Sequence, residues 1–176
     1  MPENEKLGEI THYKWRMLAY DEVTMTRSRG ETVDAAGEAI CPESLGEALY
    51  GVPTVQRDWY LCLREAFLAL DGTAETFHPV GDGWRPHLSV DLSDIVAIQF
   101  HRRGRRSMSL EIIPMPSGWL AGLGAAAELK PATRDLLQSQ PSGRKAVLPV
   151  KDDAGLAEGL VVLMLMHAHL RAGLGA

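Results

Sequence analysis

The chain has 176 residues, of which 45% are hydrophobic and 23% are charged, and its formal net charge is −5. This length is enough for one domain with a sizeable core, so we expect residues 1–176 to form a single domain without disulfides. An acidic chain argues against a general nucleic-acid-binding protein, whose fold is usually basic. Two cysteines without CxxC spacing, and a polar first segment in place of a secretory signal, predict a reduced, cytoplasmic protein.

The first predicted elements are two short strands. Residues 12–20 alternate between apolar and polar side chains, and residues 23–26 are rich in β-forming residues. Asp21 and Glu22 between them are compatible with a turn. Further along, Pro42 opens a short predicted helix, because proline is favoured in the first helical turn.

The clearest predicted helix covers residues 54–70. Its apolar side chains recur on one face, and Gly72 follows as a C-terminal stop. The apolar positions are Val55, Trp59, Leu63, Ala66, Phe67 and Leu70. The next segment, residues 73–85, contains one proline and two glycines and is predicted to be a loop that leads into the strands.

Residues 87–113 show the most regular two-residue alternation in the chain, which predicts a three-stranded antiparallel meander. A slip of one residue would turn a strand inside out, so apolar residues must face one another across each pair. In the second hairpin this condition requires the pairs Phe100–Met108, Ile98–Leu110 and Val96–Ile112. The loop between them is then odd, with three or five residues centred on Gly104. In the first hairpin the pairs are Leu92–Val96, Val90–Ile98 and Leu88–Phe100, with a tight loop at residues 93–95.

Two short helices (118–129 and 131–138) and a strand (145–150) precede a final predicted helix over residues 153–171. Its centre, residues 160–166, is an unbroken run of seven apolar residues, and helices that are apolar all round are usually buried. We therefore expect this helix to pack under the sheet, with a covering subunit on one side as the alternative. The run is shorter than the roughly 20 residues needed to cross a bilayer, so no membrane span is predicted.

These elements together predict an α+β fold. An antiparallel sheet of about five or six strands, a usual size for sheets, would include the 12–26 hairpin, the 87–113 meander and the 145–150 strand. Helices 54–70 and 153–171 would cover one face of the sheet and leave the other face polar.

The first candidate site is the arginine segment, residues 102–106. Here Arg102, Arg103, Arg105 and Arg106 surround Gly104. Without these four cations the remaining chain would carry −9 rather than −5, so positive charge is concentrated locally. Guanidinium groups pair bidentately with phosphate and carboxylate oxygens, which predicts an anionic partner: RNA, DNA, a phosphate-bearing ligand or an acidic protein. A solvated turn that blocks edge association is the alternative.

The second candidate site lies on the polar face of the meander. The derived register places His87 opposite His101, with Asp91 on the same face. Imidazoles beside carboxylates can move protons or bind a metal, which makes these three residues candidate catalytic groups. A merely solvated sheet face is the alternative. Only two ligands are aligned, whereas metal sites need three or four, so no metal is predicted.

Residues 122–127 formally fit the GxGxxA dinucleotide pattern. In that motif the first glycine directly follows a parallel strand, whereas here the preceding strand is predicted to be antiparallel and two prolines intervene. No cofactor is therefore predicted, and close helix packing explains the small residues better. The P-loop, GxSxG, HExxH and CxxC motifs are absent from the sequence.

The sequence therefore favours a non-catalytic binding or adaptor protein that uses the arginine segment on an anionic partner. One alternative is an assembly subunit, in a homo-oligomer or a larger complex, that associates through the C-terminal helix. The other is a small-molecule enzyme that works from His87, Asp91 and His101. The motifs themselves assign no enzyme class.

Overall fold

The computed structural model describes residues 42–81, 83–101, 106–113, 119–124, 126–139 and 144–173. The strands predicted at 12–20 and 23–26, and the arginine segment apart from Arg106, lie outside these ranges. The helices are α1 (Leu45–Ala48), α2 (Thr54–Leu68), α3 (Trp119–Gly124), α4 (Pro131–Gln138) and α5 (Asp153–Gly173). The strands are β1 (Thr73–Val80), β2 (Gly83–Val90), β3 (Ser93–Phe100), β4 (Met108–Ile112) and β5 (Ala146–Val150).

The five strands form one antiparallel sheet in chain order, from β1 to β5. Helices α2 and α5 pack together on its apolar face, where they contact β1 and β5 respectively. This arrangement confirms the predicted α+β fold. Gly159 allows α5 to approach the sheet closely, since a Cβ at this position would lie 2.9 Å from Cδ1 of Leu110.

The first hairpin corrects the prediction that residues 73–85 form a loop. Strands β1 and β2 pair along their whole length, from Thr73 with Val90 to Val80 with Gly83. The alternation in β1 is hidden in the sequence because one of its inward residues, Glu75, is charged. Pro79 is tolerated because β1 is the edge strand of the described sheet, where a missing N–H need not break a ladder bond.

The predicted register between β3 and β4 is confirmed in all three pairs: Phe100–Met108, Ile98–Leu110 and Val96–Ile112. The connection is longer than predicted, with seven residues from 101 to 107 between the two strands. The difference has a physical cause in α2. Residue His101, which would pair next, has both its backbone groups bonded to the side chain of Gln56.

The predicted register between β2 and β3 is wrong. Val90 pairs directly with Ser93, so Asp91 and Leu92 form a two-residue turn. Their φ angles of 47° and 69° are left-handed, as in the turns that match the twist of a hairpin. Leu92, predicted to face inward, is 74% exposed at this turn. Consequently His87 lies opposite Ala97 and not opposite His101.

Helix α5 is buried on one side only. Leu160, Leu163 and Met166 belong to the core, whereas Val161 is half-buried and Met164 is 37% exposed. Among the described residues, α5 is the one helix long and apolar enough to span a bilayer, over Asp153–Ala172. Core helices of soluble proteins meet the same criterion of length and composition.

Candidate functional site on the polar face of the sheet

The face of the sheet opposite α2 and α5 carries a connected set of polar side chains. Arg85 on β2 bonds to Gln99 on β3 and lies 3.5 Å from Glu111 on β4. Lys145, just before β5, donates to the same carboxylate at 3.2 Å. These contacts follow from the strand alternation, because residues two apart project on the same side. The result is a partly shielded polar surface across three strands, with Lys145 at its margin.

At the β1 side of this face, His78, His87 and Asp94 converge. Nδ1 of His87 lies 2.9 Å from Oδ2 of Asp94, and Nε2 of His78 lies 3.7 Å from the same oxygen. The two imidazole rings are 4.0 Å apart between centroids, with a tilt of 36°. One potential ligand atom from each residue lies within 4.8 Å of the other two. We call these three residues the outer triad.

A β-bulge brings Asp94 into this triad. Leu88 pairs with Val96 but the next residue, Ser89, pairs with Asp94, which leaves Ile95 as the extra residue of β3. In an unbroken ladder, Asp94 would lie opposite Val90 and would face the helices. The bulge moves it to the polar side, next to His87. Bulges are often found where a side chain must be re-aimed at a functional site.

The surroundings favour a neutral imidazole at His78. Partial burial and the neighbouring His87 lower the pKa of His78, while Asp94 acts in the opposite direction. The hydroxyl Oγ1 of Thr76 lies 3.3 Å from Nε2 of His78. A neutral imidazole can accept a proton or bind a metal through its free lone pair. Among the described residues, the outer triad is the one group of three such ligands that could hold a metal ion.

The predicted catalytic residues His87, Asp91 and His101 do not come together. Asp91 lies in the β2–β3 turn, where its carboxylate accepts from Arg171 of α5 at 3.1 Å. His101 lies just after β3, with Nε2 3.1 Å from Oγ of Ser109. Of the three, only His87 belongs to the outer triad. Of the predicted anion-binding arginines, Arg106 is described and is exposed.

A second polar group, which we call the inner triad, lies between α2 and β1 and was not predicted. Tyr60 donates to Oε1 of Glu75, and Nε of Arg64 donates to Oε2 at 2.7 Å. Burial raises the pKa of Glu75, an effect that Arg64 and Tyr60 partly offset. Burial and the Glu75 carboxylate also raise the pKa of Tyr60 well above its ordinary value. Every member already has a protein partner, so this group is structural.

Sequence signals for both groups exist but are weak. Tyr60 and Arg64 are spaced i, i+4 along α2 with Gln56 one turn earlier, so all three lie on one helix face. The outer triad depends on the β1–β2 hairpin, whose first strand the glycines and the proline of residues 73–85 conceal in the sequence. Thr76 and His78 lie two residues apart and share the polar face of β1.

The glycine-rich segment predicted not to bind a cofactor has a packing explanation at one position. A Cβ at Gly124 would lie 2.9 Å from Cγ of Gln138, so glycine permits contact between α3 and α4. The Gln138 amide also donates to the Gly124 carbonyl oxygen at 3.1 Å. This explains Gly124 by helix packing.

Comparisons with known proteins identify no relative. No protein family matches the chain, and no curated protein or solved structure matches it.

Proposed function

We propose that the protein is a non-catalytic binding protein that uses its arginine segment on an anionic partner. The observation that carries the proposal is the concentration of Arg102, Arg103, Arg105 and Arg106 in one connection between two paired strands. A turn needs glycine or small polar residues for its geometry, but it does not need four cations. Their mutual repulsion is offset when an anion lies between them.

The ends of the connection are held firmly, which supports this proposal. Phe100 and Met108 pair and are both buried. Beyond that pair, the Gln56 amide donates to the His101 carbonyl oxygen at 2.8 Å, and the His101 N–H donates back to Oε1 at 2.9 Å. Binding residues are often carried by a connection whose ends are fixed to a rigid sheet.

The bonds of Gln56 also explain why the ladder stops at this point. The Ile113 N–H donates to the Ile95 carbonyl oxygen, so odd-numbered residues of β3 direct their backbone groups toward β4. His101 is the next such residue, and both its groups are taken by Gln56. Pairing therefore ends one step early, and the arginine segment belongs to a longer connection than the alternation alone predicts.

The charge distribution suits a selective contact better than general binding to polyanions. The chain carries −5 overall, so its other surfaces repel a polyanion while the arginine segment attracts it. Contact with about four phosphates on a single strand would make log K fall with log salt with a slope of about −3. An acidic protein partner would show a shallower dependence.

The test uses fluorescence anisotropy with a labelled single-stranded RNA, a duplex DNA and an acidic peptide. We expect the Arg102, Arg103, Arg105 and Arg106→Gln variant to bind its best probe roughly 1000-fold more weakly at low salt, since four lost charge-assisted contacts of about 1 kcal/mol each amount to about 4 kcal/mol. The matched control is the double variant R144Q/K151Q. It removes two exposed cations near β5 and is compared with R103Q/R105Q, which removes two cations from the arginine segment. Binding of all three probes at wild-type strength by the quadruple variant would contradict the proposal.

A second candidate function is self-assembly through α5. The observation that favours it is the apolar outward side of this helix, where Val161 and Leu165 are half-buried and Met164 is 37% exposed. A second copy could cover this side symmetrically, as in most homodimers. Sedimentation should then give a mass above 19.3 kDa for the wild type and a monomer for Met164→Lys. Val55→Lys is the control, because Val55 is similarly exposed on α2. A monomeric wild type would exclude this homo-oligomer.

A further inference from the structure

We propose that the outer triad, His78, His87 and Asp94, binds a divalent transition-metal ion, with zinc as the best match. This inference goes beyond the proposed binding function and is independent of the arginine segment. It rests on the convergence of two imidazoles and a carboxylate from three neighbouring strands.

The separations suit a small ion. Zinc binds nitrogen and oxygen ligands at 2.0–2.2 Å, so ligand atoms around a tetrahedral ion are about 3.3 Å apart. The two separations to Oδ2 of Asp94 are 2.9 Å from His87 and 3.7 Å from His78, which lie on either side of this value. All three ligand atoms lie within 4.8 Å of one another. The two measured separations require movements of a few tenths of an ångström, and no separation requires more than about 1.5 Å, which rotations of the side chains can supply.

The donor set selects the class of ion. Imidazole suits zinc, copper, iron and nickel, whereas magnesium and calcium prefer ligand sets made of oxygen. Three protein ligands leave at least one coordination position for water or another molecule, as in zinc sites that are not purely structural. The site is reachable, because the side chains of His78 and Asp94 are each 31% exposed and that of His87 is 18% exposed.

The fold holds the ligands in place before any ion arrives. His78 and His87 belong to the β1–β2 hairpin, and Asp94 is turned toward them by the bulge at Ile95. Ligands on strands are positioned more accurately than ligands on loops. In the metal-free protein, Nδ1–H of His87 donates to the Asp94 carboxylate, which can only accept. If Nδ1 is the ligand atom, the ion replaces this contact, and the neutral ring carries its single proton on Nε2 instead of Nδ1.

The test is titration calorimetry on the full chain without an affinity tag, after treatment with a chelator. We expect one zinc ion per chain, with a dissociation constant in the micromolar range or below, and no comparable heat with magnesium. The variants His78→Gln, His87→Gln and Asp94→Asn should each weaken zinc binding by roughly 10-fold or more, as loss of metal-site contacts does. His169→Gln, on the exposed side of α5, is the control and should bind as the wild type does.

Two further measurements keep the test decisive. Cobalt should give the visible absorption of a low-symmetry site in the wild type, and this absorption should be lost in His87→Gln. Circular dichroism of each metal-free variant checks that it folds. If Asp94→Asn does not fold, the zinc binding of His78→Gln and His87→Gln decides the test. Absence of saturable zinc binding in the wild type would overturn the proposal. Equal zinc binding by the wild type and all the folded triad variants would also overturn it.

Discussion

The inner and outer triads lie on opposite faces of the same strand and differ in how their polar atoms are satisfied. In the inner triad, Glu75 of β1 is 6% exposed and both its carboxylate oxygens accept bonds from α2. In the outer triad, three residues further along β1, His78 shares one oxygen of Asp94 with His87 and stays partly open to solvent. Strand β1 therefore contributes to one polar group that is buried with its hydrogen bonds made within the protein, and to another that is partly exposed to solvent.

The difference shows which polar groups are available for binding. Burying a charge is costly unless it is paired and hydrogen-bonded, so the inner triad persists because its partners compensate for the lost water. The outer triad retains contact with water and so costs less to assemble. Its polar atoms are accessible to a ligand, which makes the outer triad a candidate binding site. The polar atoms of the inner triad already bond to one another, so the inner triad is part of the core.

The largest expected effect is on stability, and it should separate the two triads. Replacing Glu75→Ala leaves the buried Tyr60 hydroxyl without its acceptor and Arg64 without its carboxylate, which should lower the free energy of unfolding by about 3 kcal/mol. Replacing Asp94→Ala removes a partly exposed group and should cost less than about 1 kcal/mol. Urea denaturation of both variants measures the contrast. Equal losses would mean that the outer triad is as structural as the inner one.

A second comparison uses two glutamines on the two faces of the sheet. Gln56 is fully buried and satisfies both backbone groups of His101, so Gln56→Ala should lower the free energy of unfolding by about 2 kcal/mol. Gln99, on the polar face, can be replaced by water around Arg85, and Gln99→Ala should cost about 0.5 kcal/mol. The same denaturation experiment applies. A smaller loss for Gln56→Ala than for Gln99→Ala would argue against Gln56 as the anchor of the connection.

The smallest expected effect is a change of stability with pH that Glu75 of the inner triad causes. Because burial raises the pKa of Glu75, the folded state retains this proton to a higher pH than the unfolded state does. Between the ordinary carboxyl pKa and the raised value, the wild type should therefore lose stability relative to Glu75→Gln as pH rises. Denaturation midpoints of both proteins across this range measure the trend. A wild type that gains stability over the variant would show that the Arg64 pair outweighs burial.

The candidate site was only partly predictable. His87 was identified because it lies in a strand with clear alternation. Its partners His78 and Asp94 are not evident from the sequence. Matching apolar faces predicts His101 opposite His87, and the glycines and proline of residues 73–85 predict a loop where β1 carries His78. The same matching predicts a turn at Asp94, since no residue pattern signals that Ile95 forms a bulge. The inner triad was missed because a charged residue at an inward position contradicts the apolar alternation that identifies a strand.

The sequence by itself determined the α+β class, the pairing of β3 with β4, and helix α2, which runs from Thr54 to Leu68 where residues 54–70 were predicted. These features depend on local periodicity and on matching apolar faces, both of which can be read along the chain. The tertiary structure decided the turn at Asp91 and Leu92, the end of the ladder at Gln56 and the convergence of the outer triad. Each of these depends on contacts between residues distant in sequence, or on a backbone conformation that non-glycine residues adopt only when the surrounding sheet stabilises it.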